Sequence, residues 1–506
     1  MAKHRSKPAG PVGSQSAQLF AVAAFCALIA GGSGANAQTV TGDGTNVNGG
    51  SQASGSTLAF GDASGSTTTA TPGTDAATAD AATATAAPAA SADGSDANDP
   101  TLLDTAELED LKRQNLREGS VDNLKTASTP KEDDDGISLG TMRLRTSLTQ
   151  SYGYEQQKTD AEVHKRHYLE TEMKGTLTSD WSRHQLTISG DGVWQKNLSG
   201  DLEESPSASL DAELRLDLSN DTTLNLKAGY DFSREDTNDP NAIDGASAQS
   251  GVHTFSTGIS ASRNLGVLRG TAAIDLSRTI YTAAKLSDGT SLSQSDRDAN
   301  TVTGTARLGY ELSPALIPFI EASVGRTIYD QTTDSSGYKR SYNSYSAMAG
   351  VAFDGGEKLS GELAAGYELS DFDDGRLQTI GGLKVEGNLL WSPLRGTTVS
   401  TTLSTKVEPS TTGGESGSTI YAMNSTLNRQ VRDDLVARLT GSTSYRTYPS
   451  ESTAANQMVW SVGGGLTWTI NRYLELAGDV TYQYTDRETG ADTEDLIAKI
   501  GLTLKR

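Results

Sequence analysis

Read every second residue from 208 to 218 and the sequence gives Ala208, Leu210, Ala212, Leu214, Leu216, Leu218; the residues between are Ser209, Asp211, Glu213, Arg215, Asp217. Ser219-Asn220-Asp221 turns the chain. The alternation resumes with Leu224, Leu226, Ala228, Tyr230 and Phe232 against Thr223, Asn225, Lys227 and Asp231. A period of two with one apolar and one charged face describes a β-strand between a greasy and a wet medium. Ser, Asn and Asp hydrogen-bond their own backbone and suit the tight turn. From about residue 138 onward the chain repeats this hairpin, and the periodicity predicts about eighteen antiparallel strands, or sixteen at the least.

The predicted connections alternate in length. Short links such as Leu265-Gly266, Ser392-Pro393 and Ile470-Asn471-Arg472 are separated by longer polar loops, among them 196–206, 234–250, 283–299, 331–341, 409–417 and 486–493. Short and long connections alternating over an even number of strands place both chain ends on the short-turn side, the layout of an outer-membrane β-barrel. Aromatic residues collect near the long-loop ends (Tyr152, Tyr154, Trp194, Tyr230, Phe232, Tyr281, Tyr329, Tyr445, Tyr484) and near the short-turn ends (Trp181, Tyr310, Phe319, Phe353, Trp391, Trp468, Tyr473). Two such bands fit the girdles of a membrane slab. Alternation alone does not say which face points outward, but size does. A lumen of this many strands is too wide for side chains to fill, so the apolar face meets lipid and the charged face meets water.

The N-terminus reads as a secretory signal over residues 1–37. Lys3, His4, Arg5 and Lys7 precede an apolar run at 19–30, and Ala35-Asn36-Ala37 forms an A-x-A cleavage site. Cys26, the one cysteine, lies inside that run, so the processed chain has no thiolate chemistry. Residues 38–100 are a low-complexity tract of Gly, Ser, Thr, Ala and Asp, which is expected to be disordered. Residues 101–137 are expected to hold a short helix and a linker, including the charged run Lys131-Glu132-Asp133-Asp134-Asp135. The barrel is expected over residues 138–506.

No catalytic signature is readable. His164 and His167 stand three apart at a strand start and face opposite sides. Gly414-Glu415-Ser416-Gly417 lacks the strand-to-helix elbow of a hydrolase. Accordingly no cofactor, metal or catalytic residue is expected, and the net charge of −22 argues against nucleic-acid binding. What remains is the lumen. Face assignment puts Arg143, Arg145, Glu170, Glu172, Asp211, Glu213, Arg215, Lys227, Arg307, Glu362, Glu386, Arg438, Glu475 and Asp479 on the pore-lining side. Acids outnumber bases across the inward positions, which predicts a weak preference for cations or neutral solutes. The tetrapeptide Arg-Thr-Ile-Tyr occurs at 278–281 and again at 326–329, with Arg278 and Arg326 on the lipid-facing parity. Near the outer rim such an arginine can pair with lipid phosphate, or a local bulge can turn it inward.

Gly136-Ile137-Ser138-Leu139-Gly140-Thr141-Met142-Arg143-Leu144 resembles the barrel entry of the "putative β-barrel porin 2" family of outer-membrane proteins. There a Gly-Ile-x-x-Gly-Ser-Phe-x-x-x-Pro-like segment opens the first strand. Here Thr141 and Met142 replace Ser-Phe, Thr146 stands near the place of the Pro, and Tyr152-Gly153-Tyr154 replaces a Tyr-Asp-Asp-like end. The resemblance covers about residues 110–506. It implies an outer-membrane barrel, sometimes associated with polysaccharide secretion, and supplies no catalytic residues. The chain departs from many such barrels by ending in Leu504-Lys505-Arg506 rather than an aromatic residue. The reading is a passive porin for small polar solutes in the bacterial outer membrane. The alternatives are a conduit for exopolysaccharide export or a closed structural or adhesion barrel. Outer-membrane lipids and lipopolysaccharide, the barrel-assembly machinery and a periplasmic partner of the N-terminal arm are the expected partners.

Overall fold

The computed structural model describes residues 136–506 apart from residue 453. The signal peptide, the low-complexity tract and the short helix expected from the sequence lie outside the described residues. Eighteen strands make the wall: β1 Met142–Thr159, β2 Glu162–Ser179, β3 His184–Gly200, β4 Ser207–Ser219, β5 Thr222–Arg234, β6 Gly251–Leu265, β7 Leu268–Tyr281, β8 Ala299–Tyr310, β9 Leu316–Tyr329, β10 Tyr342–Asp354, β11 Leu359–Phe372, β12 Ile380–Leu394, β13 Thr397–Pro409, β14 Gly417–Arg432, β15 Leu435–Thr447, β16 Gln457–Asn471, β17 Leu474–Arg487 and β18 Thr493–Lys505. Each pairs antiparallel with its neighbour. β1 pairs with β18 from Ser147 opposite Lys505 to Thr159 opposite Thr493, so the sheet closes without a free edge. Ile137–Leu139 folds back on β1 below this seam.

The hairpin that reveals the pattern is β4–β5, where Glu213 faces Lys227 and Leu214 faces Leu226 across the ladder. Its two faces set those of the whole wall. On β9, Leu316, Ile320, Val324 and Ile328 are exposed on the outside, whereas Phe319, Glu321 and Thr327 are buried on the inside. A continuous band of exposed Leu, Ile and Val would be untenable in water and marks the lipid face. Its height can be read on two strands. Leu268 to Arg278 on β7 and Leu316 to Arg326 on β9 each run ten residues from the lower rim to the first outward charge. At about 3.4 Å per residue and a tilt of about 40°, that is roughly 25 Å, the height of an outer-membrane apolar band.

The connections keep the expected alternation, with one departure. The first outer connection is a tight turn at 160–161, with Asp160 at a φ of 53°, because β1 and β2 run on past the membrane. The aromatic bands also need correction. Tyr281, Tyr329 and Phe319 follow the inward parity; Phe319 is buried in a small cluster with Met348 and Ala364. The outward ring near the outer rim instead recruits two histidines. The Tyr152 hydroxyl lies 2.7 Å from Nδ1 of His167, and His253 packs among Tyr230 and Phe232. At the C-terminus, Lys505 turns inward and donates to Glu475 at 2.6 Å, leaving Leu504 on the lipid side.

Candidate functional site: the charged lumen and its strap

The inner wall is built from ion pairs within and between strands, which follows from alternation once the lumen is wet. Lys499 donates to both oxygens of Glu170 at 2.8 Å, and Gln195 donates to the same carboxylate. Glu172 pairs with Lys174 at 2.7 Å, and Arg215 with Asp217 at 3.0 Å. Arg307 bridges Glu321 and Glu362 at 2.7 and 3.0 Å, its guanidinium lying over the Phe319 ring. Lys384 sits between Glu386 and Glu368, Arg438 meets Asp479 at 2.8 Å, and Glu475 holds Lys505. Glu213 lies 3.9 Å from Lys227, and Asp211 stands beside Gly229 on the next strand. Arg143 and Arg145 flank Gly136 where the chain enters the barrel. All fourteen pore-lining candidates stand on the inward parity. Sequence reasoning passed over Glu155, Arg166 and Glu321, which follow the same parity and were legible from it. It also passed over Arg446 and Glu408, whose role depends on a distant loop.

That loop is 235–250, between β5 and β6. It does not stand outside the barrel but crosses its outer mouth. Asn241 donates to Glu408 at 3.0 Å, and its Oδ1 accepts the Thr411 N–H at 3.0 Å. Asp239 meets Arg446 at 3.1 Å, and Arg487 donates to Asn238 at 3.1 Å. Counting strands round the ring, β13 to β15 lie opposite β5 and β6. Eighteen strands close a ring roughly 35 Å across, and a loop of this length, doubled back, reaches about 25 Å. Long side chains must close the gap, and Arg446 does so. It is 3% exposed and also donates to Glu408 at 2.6 Å and Ser418 at 3.1 Å.

At its near end this strap is held by Glu235, which pairs with Arg297 from loop 282–298, and by a small sheet joining Ala246–Ala248 to Ala284–Leu286. Burial pushes the Asp236 carboxyl up to about 8 and Asp239 up to about 6; in the latter Glu408 adds to the rise and Arg446 opposes it. Beside the strap, Phe372, Leu377 and Ile380 form an apolar cluster with Tyr338 and Tyr342, and Arg340 donates to the Thr412 and Glu415 carbonyls. The mouth is therefore narrowed by a fixed, hydrogen-bonded structure.

Comparison with known families agrees with this architecture. The family model described as "Putative beta-barrel porin 2" matches residues 129–506. The chain belongs to that family. It is therefore a porin-like β-barrel of the outer membrane. No curated protein matches the sequence. Among solved structures, the outer membrane protein opdK from Pseudomonas aeruginosa matches at 12% identity, over 72% of this chain and 99% of that one, with a TM-score of 0.38. The siderophore receptor PiuA from Acinetobacter baumannii matches at 10% identity, over 74% of this chain and 82% of that one, with a TM-score of 0.40. Likenesses this loose add nothing to an assignment that rests on the strand pairing and the family match.

The outer wall of this family member carries the repeated tetrapeptide as a built motif. Arg278 stands outward on β7 opposite Asn300 and donates two bonds of 2.6 Å to Asp330, just beyond β9. Arg326 stands outward opposite Asn343 and donates bonds of 2.7 and 2.6 Å to Asp373, just beyond β11. No bulge turns either arginine inward. Each forked bond holds its aspartate below the usual carboxylate range. These two pairs present neutral, hydrogen-bonded groups on the outer face near the long-loop rim rather than bare cations.

Proposed function

We propose that this barrel is a diffusion channel for small polar solutes, with a weak preference for cations or neutral solutes and an outer mouth restricted by the strap. The observation that carries this is the inner wall. A ring of strands roughly 35 Å across, lined inside by charged side chains, is stable only if its lumen holds water. The inward aromatics do not make a sugar-stacking track. Tyr168 and Phe319 are buried and covered by Arg166 and Arg307, and Tyr281 lies under Arg297. An export conduit for a polysaccharide would need the strap to leave the mouth.

Planar-bilayer recording of the full-length processed protein tests the proposal. Stable nanosiemens-scale steps, with a reversal potential slightly towards cations, are expected. Absence of steps from the intact protein but their appearance once the strap is shortened would favour a partner-opened conduit. Absence from both would favour a closed structural barrel.

A further inference from the structure

Where the strap meets the β16–β18 wall, several polar atoms are enclosed without partners. Asp495 points inward from β18 and is 4% exposed. No donor reaches either of its oxygens with hydrogen-bond geometry; Gln157, opposite on β1, approaches but does not satisfy it. Thr485 Oγ1 on β17 and the side-chain nitrogen of Gln457 on β16, also buried, have no partner either. From the strap comes Asp236, which accepts the Asn238 N–H at 2.8 Å and faces the charge of Asp495.

The cation at hand is Arg487, but its fork is committed elsewhere: to the Ala491 carbonyl at 2.7 Å, Thr493 Oγ1 at 3.0 Å and Asn238 at 3.1 Å. Arg487 also faces Asp492, which accepts from the Arg487 backbone N–H and the Tyr484 hydroxyl, so once Asp495 and Asp236 are ionised the carboxylates here outnumber the single guanidinium. The neighbouring clusters Glu235–Arg297, Glu203–Arg234 and Glu155–Arg166 each balance within themselves. An enclosed, unpaired carboxylate is costly and asks for a counter-charge.

We propose that Asp495 and Asp236 together bind a monovalent metal cation, with the Thr485 hydroxyl oxygen as a third ligand. Among the described residues no three His, Cys, Asp or Glu side chains converge as a metal centre, and a pair of carboxylates with a hydroxyl suits an alkali ion, which takes hard oxygen ligands. The subsite sits at the strap, so ions entering or leaving the lumen would pause there. Its consequence for selectivity rests on the channel reading above, whereas binding itself does not.

Sodium-23 NMR of the full processed chain, refolded in detergent, tests the binding directly. The wild-type protein is expected to broaden the sodium line, and added potassium to reverse the broadening. Asp495→Asn and Asp236→Asn should each remove at least half of the effect, whereas Asp211→Asn on the β4 wall should leave it intact. Asp236 lies outside the sheet, so its variant carries the test if Asp495→Asn does not fold. Equal line widths in the wild type and both site variants would overturn the proposal. Bilayer recording of the same proteins separates the two readings. Sodium binding without conductance would refute the channel and leave the site standing, whereas conductance with unaltered selectivity and line width in the variants would refute the site.

Discussion

Arg446 offers the sharpest test of the strap. Its guanidinium contacts Glu408 at 2.6 Å, Asp239 at 3.1 Å and Ser418 at 3.1 Å, and the side chain is 3% exposed. Arg446→Ala would leave two carboxylates facing each other with no cation between them. Removing one partner of a buried ion pair costs roughly 3–5 kcal/mol. The strap keeps its contacts through Asn241 and Asn238, so the lower figure applies, about 3 kcal/mol. That lowers the ratio of docked to free strap by roughly a hundredfold. In planar bilayers the variant should show a larger main conductance and rapid transitions that the wild type lacks. Arg446→Lys, which restores one charge but not the fork, should lie between them. A second readout uses the absence of cysteine from residues 136–506. A disulfide between Asn241→Cys and Thr411→Cys should suppress the transitions in the Arg446→Ala background, and reduction should restore them. If Arg446→Ala folds, as judged by heat-modifiable gel mobility, yet conducts with wild-type amplitude and noise, the docked strap does not limit the mouth.

The strap should also respond to pH. Asp236, pushed up to about 8, faces Asp495, Asp239 and Arg487; Asp239, pushed up to about 6, faces Arg446, Glu408, Glu235 and Arg297. Without a bound metal cation, the docked strap therefore holds protons that a free strap, with ordinary aspartates, would release above about pH 4. Docking is strongest in acid, weakens as pH rises from about 4 to about 8, and levels off beyond. Conductance noise should rise from pH 5 to pH 9, with a smaller slope in Asp236→Asn; noise that falls with pH would contradict the sign. On the outer wall, Arg278→Ala and Arg326→Ala remove half-exposed pairs and should each change unfolding free energy by less than about 1 kcal/mol in urea titrations. Gly153→Ala should cost more, about 1–3 kcal/mol, because the added Cβ would lie 2.3 Å from the Tyr168 ring. The same substitution in a Tyr168→Ala background should be nearly neutral, and equal loss in both backgrounds would place the strain elsewhere.

Much of this protein is legible without coordinates. The period of two in segments such as 208–232 assigns strand, face and medium together, because side chains on a pleated strand can only alternate. Hence the barrel and the fourteen inward charges follow from local sequence. The same rule applied residue by residue would have placed Tyr281, Tyr329 and Phe319 inside. Strand-end position alone suggested girdle residues, whereas parity decides which medium they meet. It also places Arg278 and Arg326 outside, although only the folded sheet brings Asp330 and Asp373 within reach of them. The strap was not legible. Loop 235–250 reads as another polar outer loop, and nothing in its composition says that it crosses the mouth. Asp239 and Arg446 are 207 positions apart, and their pairing exists because closure of the ring sets β5 opposite β15. Local periodicity determines what each strand is. Only the closed sheet determines which distant strands face one another, and the lumen's restriction and its unpaired carboxylate both arise from that.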